Sequence, residues 1–447
     1  MSTVCLNIEK ELFCDVLVVG GGCAGFSAAV CAARGNTKVI LTERNGYLGG
    51  TATSGMVGPF MTSYDTDGEK QLICGFFDEF VTRMEQVGGA VHPSKGTVNS
   101  AYSSYRVKGH KNLSHFDIES YKYVAEKMCV ESGVELLYHT VFLTADTNDG
   151  KITSAYFSTQ GGVIKINAKI FIDASGEAVL AKSAGVKMIY GDKNGYMQSA
   201  SLFFTVKGVD KQKMDSRMIP IDDIREKFYM DTIIEARNKG EFPSNRAKIQ
   251  LFEAINGEWL VNMTQIDCVD AYSANQVTAA EIEGREQARG ITDFLRKYVD
   301  GCENITLSKT ADSLGIRESG HIEGEYTLSI EDAVNSVKFE DSVFCCSNSI
   351  DIHTPEGVTY IARKTNEPYY FPYRSLVAKG IGNLLVAGRC ASAESEIMAA
   401  VRVMPPCFAM GQAAGTAASI AVCKNVNCAE INVKALKEKL INDGTIL

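Results

Sequence analysis

At 447 residues the chain is longer than one simple core organises, so two or three domains are expected. Its 45% hydrophobic and 22% charged residues are ordinary for a soluble globular protein. A formal net charge of −9 argues against nucleic acid or an anionic membrane as the main partner.

The opening MSTVCLNIEKELF has neither a basic start nor a long apolar run, so no secretory signal is expected there. Residues 15–43 then read DVLVVGGGCAGFSAAVCAARGNTKVILTE. An apolar strand over 16–19 breaks into Gly20, Gly22 and Gly25. An Ala-rich helix follows, then a second apolar strand over 39–41 that ends close to Glu43. This is the spacing of a dinucleotide-binding unit. Gly20 permits the tight turn, Gly22 lets the backbone approach a pyrophosphate, and Gly25 lets the helix pack on the strand. The pyrophosphate is expected at the positive end of that helix, at the amides around Cys23 and Ala24. Glu43 is placed to accept hydrogen bonds from ribose hydroxyls, with Arg44 beside it.

Next comes RNGYLGGTATSGMVGPF, whose small residues Gly49, Gly50, Thr51 and Gly55 suit a chain passing close to a large flat ligand. Residues 116–142 predict a capped, acid-rich helix running into a strand, and 151–171 a β-hairpin around Gly161-Gly162. In KIFIDASGEAVLAKSAG a strand over 171–174, including Asp173 and Ala174, runs into Ser175 and Gly176. In NLLVAGRC another strand ends at Gly388-Arg389. A helix then opens near Pro405-Pro406, beyond Arg402. Its apolar stretch, 407–423, is shorter than a membrane span needs, so a buried helix is expected. Three strand-to-glycine junctions this far apart suggest one cofactor domain assembled from distant segments.

These pieces, with LGIRESGHIEGEYTLSIEDA (314–333) and the stretch from Tyr369 through Arg389 and Pro406, resemble the FAD-dependent oxidoreductase family of glutathione-reductase-like flavoproteins. The resemblance covers nearly the whole chain. It implies an α/β fold, with a Rossmann-like FAD-binding domain and an inserted α+β substrate or lid domain. It also implies FAD bound extended, with Glu43 on the adenosine ribose and Asp173 and Gly176 near the dinucleotide. Arg389 would lie along the flavin side, and the helix near Pro406 would point its N-terminus at the flavin pyrimidine, where its dipole favours negative charge. The chain departs from the family pattern at Gly320-His321 and Glu394-Ser395. The expected FAD domain comprises 1–60, 115–190 and 375–447, and the lid 61–114 and 191–374.

Some chemistry is missing from the sequence. Redox cysteines four residues apart do not follow the first βαβ unit, where only Cys74 stands. No cysteine run suits an iron–sulfur cluster and no Cys/His spacing suits zinc, so no metal is expected. The fourteen cysteines are scattered and mostly in apolar stretches, which suits a reducing cytoplasm. A second complete GxGxxG is absent, so direct use of NAD(P)H is not expected.

For catalysis, His353 attracts attention because it stands in what reads as an irregular polar loop just before the tyrosine-rich return to the FAD domain. Arg317, Arg374 and Arg402 are candidate holders of a carboxylate or of flavin carbonyls, since guanidinium matches both geometries. Tyr370 is a candidate donor to a substrate oxygen. The expected activity is hydride transfer between a small organic substrate (alcohol, sugar or C–C bond) and flavin N5. The alternatives are an enone-type reductase fed by a partner electron-carrier protein, or a non-catalytic FAD electron-transfer subunit. A homo-oligomer is compatible with all three.

Overall fold

The computed structural model describes residues 7–96, 101–103, 112–216, 227–267, 269–355 and 357–447. Its central strand is Ile8–Val19, in which Val16, Leu17, Val18 and Val19 are all buried. A strand apolar on both faces belongs inside a parallel sheet covered on both sides. It pairs in parallel with Val39–Thr42 on one edge and with Gly162–Asp173 on the other. Glu135–Leu137 extends the sheet beyond Val39–Thr42, and Leu384–Val386 pairs in parallel with the end of Gly162–Asp173. The earlier part of Gly162–Asp173 turns back through Gly161-Gly162, as the sequence predicts, to pair antiparallel with Lys151–Thr159. Val141–Asn148 completes the sheet.

Two helices cross on one face of this sheet, Cys23–Arg34 and Met404–Lys424. They approach so closely that a Cβ at Gly411 or Gly415 would stand 2.1 Å from the carbonyl oxygen of Ala24 or Ala28. Ser27 Oγ donates to the Phe408 carbonyl at 2.8 Å across the same crossing. Helices Phe76–Gln86 and Ile118–Glu131 close that layer, and Phe26, Phe76 and Phe80 meet edge to face there. The 404–424 helix is long and apolar enough to cross a membrane, but 83% of its apolar window is buried inside the chain. It is the core helix that the sequence leads one to expect.

A second, five-stranded antiparallel sheet runs Thr306–Thr310, Phe204–Lys207, Trp259–Val261, Gln250–Glu253, Ala101–Ser103. The 25-residue helix Ala274–Tyr298 covers it, burying Ile291, Phe294 and Leu295 against Phe204, Val206 and Trp259 in a separate core. The strands Ser342–Cys346 and Tyr369–Pro372 pair with each other and bury Phe344 and Phe371 in the core of the 404–424 helix. By core membership, then, this pair and the 76–86 helix side with the cofactor sheet, although the sequence boundaries put both in the lid. One correction concerns residues 350–361. His353 is not in an irregular loop but on the strand Ile350–Thr354, paired antiparallel with Gly357–Ile361.

Candidate functional site

The parallel strands end at one edge, and a cavity of about 470 Å3 opens there, where open α/β sheets place their ligands. Gly20, Gly22, Cys23 and Ala24 form one wall, with Glu43, Arg44, Gly50 and Thr51 beside them. Ala174, Gly176, Gly388, Arg389 and Arg402 line the other side. Gly20 has φ +98°, and a Cβ there would stand 2.7 Å from the Ala174 carbonyl oxygen. At Gly25 a Cβ would meet the Gly20 carbonyl oxygen at 1.8 Å. Gly22 differs, because nothing lies within 4 Å of where its Cβ would be. It is the N-cap of the 23–34 helix and no side chain caps that end. The result is an open cradle above free helical amides, which fits a pyrophosphate.

Glu43 is buried, and its two oxygens accept from the amides of Gly21 and Asn45, each at 2.8 Å. Burial pushes its pKa up, while the amides and Arg44 pull it back. Two fixed carboxylate oxygens with lone pairs to spare suit the two hydroxyls of a ribose. Asp173, expected near the dinucleotide, is fully buried and off the cavity wall. It instead builds the turn, accepting from Ser175 N and Oγ and from Ala181 N at 2.7–3.0 Å. Gly25, Gly49 and Pro406 are likewise off the wall. Gly49 has φ +112° and donates to the Gly21 carbonyl at 2.8 Å, which clamps the following loop over the cradle. The Arg389 guanidinium is bound to Glu177 and Ser319.

A second cavity, about 380 Å3, adjoins the first and shares Thr51, Gly315, Ile316, Arg402 and Met404 with it. Val57, Pro59, Phe203 and Phe252 give it an apolar wall. Facing them are Arg246, Arg317, Asp351 and His353. His353 Nδ1 lies 2.9 Å from Arg246 Nη1 and Nε2 lies 3.2 Å from Asp351 Oδ2. A guanidinium can only donate, so Nδ1 accepts and Nε2–H donates to the carboxylate. The ring is therefore neutral. Burial, and then the charges of Arg317, Arg246 and Arg402, hold its pKa well below the usual value. Burial lifts the Asp351 pKa against the pull of the same three arginines. Arg317 donates to the Ser199 carbonyl at 2.6 Å, and Arg402 to Gln198 Oε1 at 3.2 Å.

The structure brings Arg317, Arg402 and His353 together, but not Tyr370 or Arg374. Tyr370 pairs with Cys345 on the 342–346 strand and lies under Lys338. Arg374 is half exposed and ion-paired to Asp341 at 2.9 Å. Both sit off the walls of the two cavities. Arg246, Asp351 and Gln198 are functional candidates that the sequence did not single out. Among the described residues the cysteines are unpaired; burial pushes the Cys345 thiol up to about 11 and those of Cys346 and Cys428 to about 12. No cluster of three potential metal ligands occurs among the described residues.

A family model described as FAD dependent oxidoreductase matches residues 15–440. Thiamine thiazole synthase of Aeropyrum pernix is 35% identical over 95 residues, 21% of this chain and 33% of that protein. The 4-oxocyclohex-2-ene-1-carboxylate 5-dehydrogenase of Sinomonas cyclohexanicum is 52% identical over 43 residues, 10% of this chain and 7% of that protein. The chain thus matches about a third of one curated relative and under a tenth of the other. Among solved structures, a geranylgeranyl bacteriochlorophyll reductase-like protein from Thermoplasma acidophilum aligns with a TM-score of 0.49 at 14% identity, covering 97% of this chain and 84% of that one. L-proline dehydrogenase from P. horikoshii aligns at 0.46 and 12%, covering 99% and 100%. The match of the family model across nearly the whole chain, together with a cradle that fits a dinucleotide, gives the conclusion: this chain belongs to the FAD dependent oxidoreductase family, and its cofactor is FAD.

Proposed function

We propose that the chain is a dehydrogenase-type enzyme that moves a hydride between flavin N5 and a small organic substrate held in the 380 Å3 cavity. The observation that carries this reading is the shared wall. Thr51, Gly315, Ile316, Arg402 and Met404 border both spaces, so a molecule in one lies against a ligand in the other. When bound, FAD supplies the two-electron acceptor or donor.

The chain's own residues orient the substrate and handle its proton. Asp351 is the group placed to take it, because its carboxylate lies on the cavity wall and burial raises its affinity for a proton. His353 is a positioning residue in this reading, since Arg246 occupies its one ring lone pair while its Nε2–H aims the carboxylate. In this reading the unit built on the antiparallel sheet acts as the lid over the flavin. With one glycine fingerprint in the chain, the other half of the electron balance falls to dioxygen or a partner electron carrier.

The test is anaerobic. Hydroxy acids, sugars, amines and cyclic alcohols are added singly to the oxidised holoprotein while the flavin band is followed. Bleaching by one class supports the reading. If nothing bleaches it, while an enone reoxidises chemically reduced protein, the enone-reductase alternative replaces it.

A further inference from the structure

We infer that the substrate is an organic monocarboxylate with an apolar body, its carboxylate shared by Arg246 and Arg317. This deepens the reading above and rests on it for the identity of the cavity. Three arginines reach the cavity wall, and Arg246 and Arg317 are only 7% and 8% exposed. Several arginines outside the cavity have acidic partners, among them Arg374 with Asp341, Arg389 with Glu177 and Arg34 with Glu79, whereas the half-buried Arg237 donates to the Ser244 and Arg246 carbonyls. Among the described residues, no ion pair joins Arg246, Arg317 or Arg402 to a carboxylate. Arg402 Nε is buried and has no hydrogen-bond partner.

The nearby acids are engaged elsewhere. Asp351 accepts from His353, Asp267 from Ser199 and Gln265, and Glu318 from Gln198 N. Buried guanidinium groups left facing one another are unfavourable unless an anion joins them. Burial first, and then the charges of Arg246 and Arg402, drive the Arg317 pKa well down against the opposite pull of Asp351 and Asp267.

The shape of the cavity selects the anion. Arg246 already gives one N–H to His353 and another to Gln250, and Arg317 gives one to Ser199. What remains is enough for a planar, singly charged carboxylate. A phosphate monoester dianion would bring its second charge up against Asp351. Val57, Pro59, Phe203, Phe252 and Met404 then cover the rest of the ligand with apolar surface. Arg402, on the wall common to both cavities, is left to the flavin side.

The experiment uses oxidised holoprotein and needs no knowledge of the natural substrate. Acetate, cyclohexanecarboxylate and benzoate are titrated against their primary amides and against phenyl phosphate, reading the perturbation of the flavin spectrum. A saturable shift is expected with the larger acids, and affinity for each amide should be at least about tenfold weaker. Arg246→Gln should weaken acid binding by about tenfold or more and leave the amides unchanged, with Arg246→Lys restoring part of it. Should the Gln variant lose its flavin, the acid–amide comparison on the unaltered protein decides alone. Equal binding of acid and amide, tighter binding of phenyl phosphate, or silence of every acid overturns the proposal. Its failure is separable from that of the dehydrogenase reading. Neutral alcohols that bleach the flavin while acids stay silent remove the carboxylate claim only. Acids that bind while no compound bleaches the flavin remove the dehydrogenase reading only.

Discussion

Gly22 and Gly25 are three residues apart and are constrained by different neighbours. At Gly25 a Cβ would collide with backbone, whereas at Gly22 it would enter the open space of the cradle. Gly25→Ala should therefore give little folded protein. Gly22→Val should fold with the melting temperature of the apoprotein yet purify with little FAD, as read by circular dichroism and the flavin-to-protein ratio. His353 gives a pH signature. Its folded pKa is held below 6.5, so as pH falls through 6.5 the unfolded chain takes up a proton that the folded chain refuses. This contribution to stability is present above that pH and is lost below it. Glu43, Asp173 and Asp351, with raised pKa values, act in the opposite sense. The clean readout is a difference: between about pH 7 and about pH 5 the wild-type melting temperature should fall more steeply than that of His353→Gln. The glycine fingerprint and Glu43 were legible in the sequence because their spacing is local. Arg246 was not, because its partner His353 is 107 residues away and nothing in Ser-Asn-Arg-Ala marks it as buried.

At the scale of elements, the crossing of the 23–34 and 404–424 helices joins the cofactor cradle to the C-terminal end of the chain. Gly411 and Gly415 permit it, and the obstacle each Cβ would meet is backbone, which cannot swing away. Gly415→Ala should cost about 1–3 kcal/mol, the range for overpacking a close-packed core, measured as a shift in denaturant midpoint. The helix itself was readable from its apolar run and its prolines. Its partners were not. The 342–346 and 369–372 strands are almost wholly buried, and a strand apolar on both faces does not show which core it joins. The strand carrying His353 was hidden for another reason: it is five residues long and stands beside the turn signal Thr-Pro-Glu-Gly. Tyr370 and Arg374 drew attention through their chemistry, a phenol that can donate to a substrate oxygen and a guanidinium that matches a carboxylate. Tyr370 lies instead on the strand paired with 342–346, and Arg374, in the turn that follows it, is held by Asp341.

At the scale of the whole molecule, the parallel and the antiparallel sheet meet over a pair of adjoining cavities. The parallel sheet supplies the dinucleotide cradle, and the antiparallel unit supplies Phe203, Arg246, Gln250 and Phe252 to the adjoining space. The mixed α/β fold with its parallel sheet and the use of FAD were legible because the ordered motifs span the chain. The charged character of the substrate space was not, because its arginines come from segments that meet only in the folded chain. The central claim is that substrate reacts from the 380 Å3 cavity. Val57, half-buried on its apolar wall and outside the cofactor cradle, tests it most directly. Val57→Trp would project a bulky ring into that space. With the compound that bleaches the wild-type flavin, anaerobic stopped-flow mixing should show reduction slowed by at least about a hundredfold, close to 3 kcal/mol of lost transition-state stabilisation. FAD content and reduction by dithionite should be unchanged. Reduction by substrate at the wild-type rate in a flavin-replete Val57→Trp protein would contradict the account.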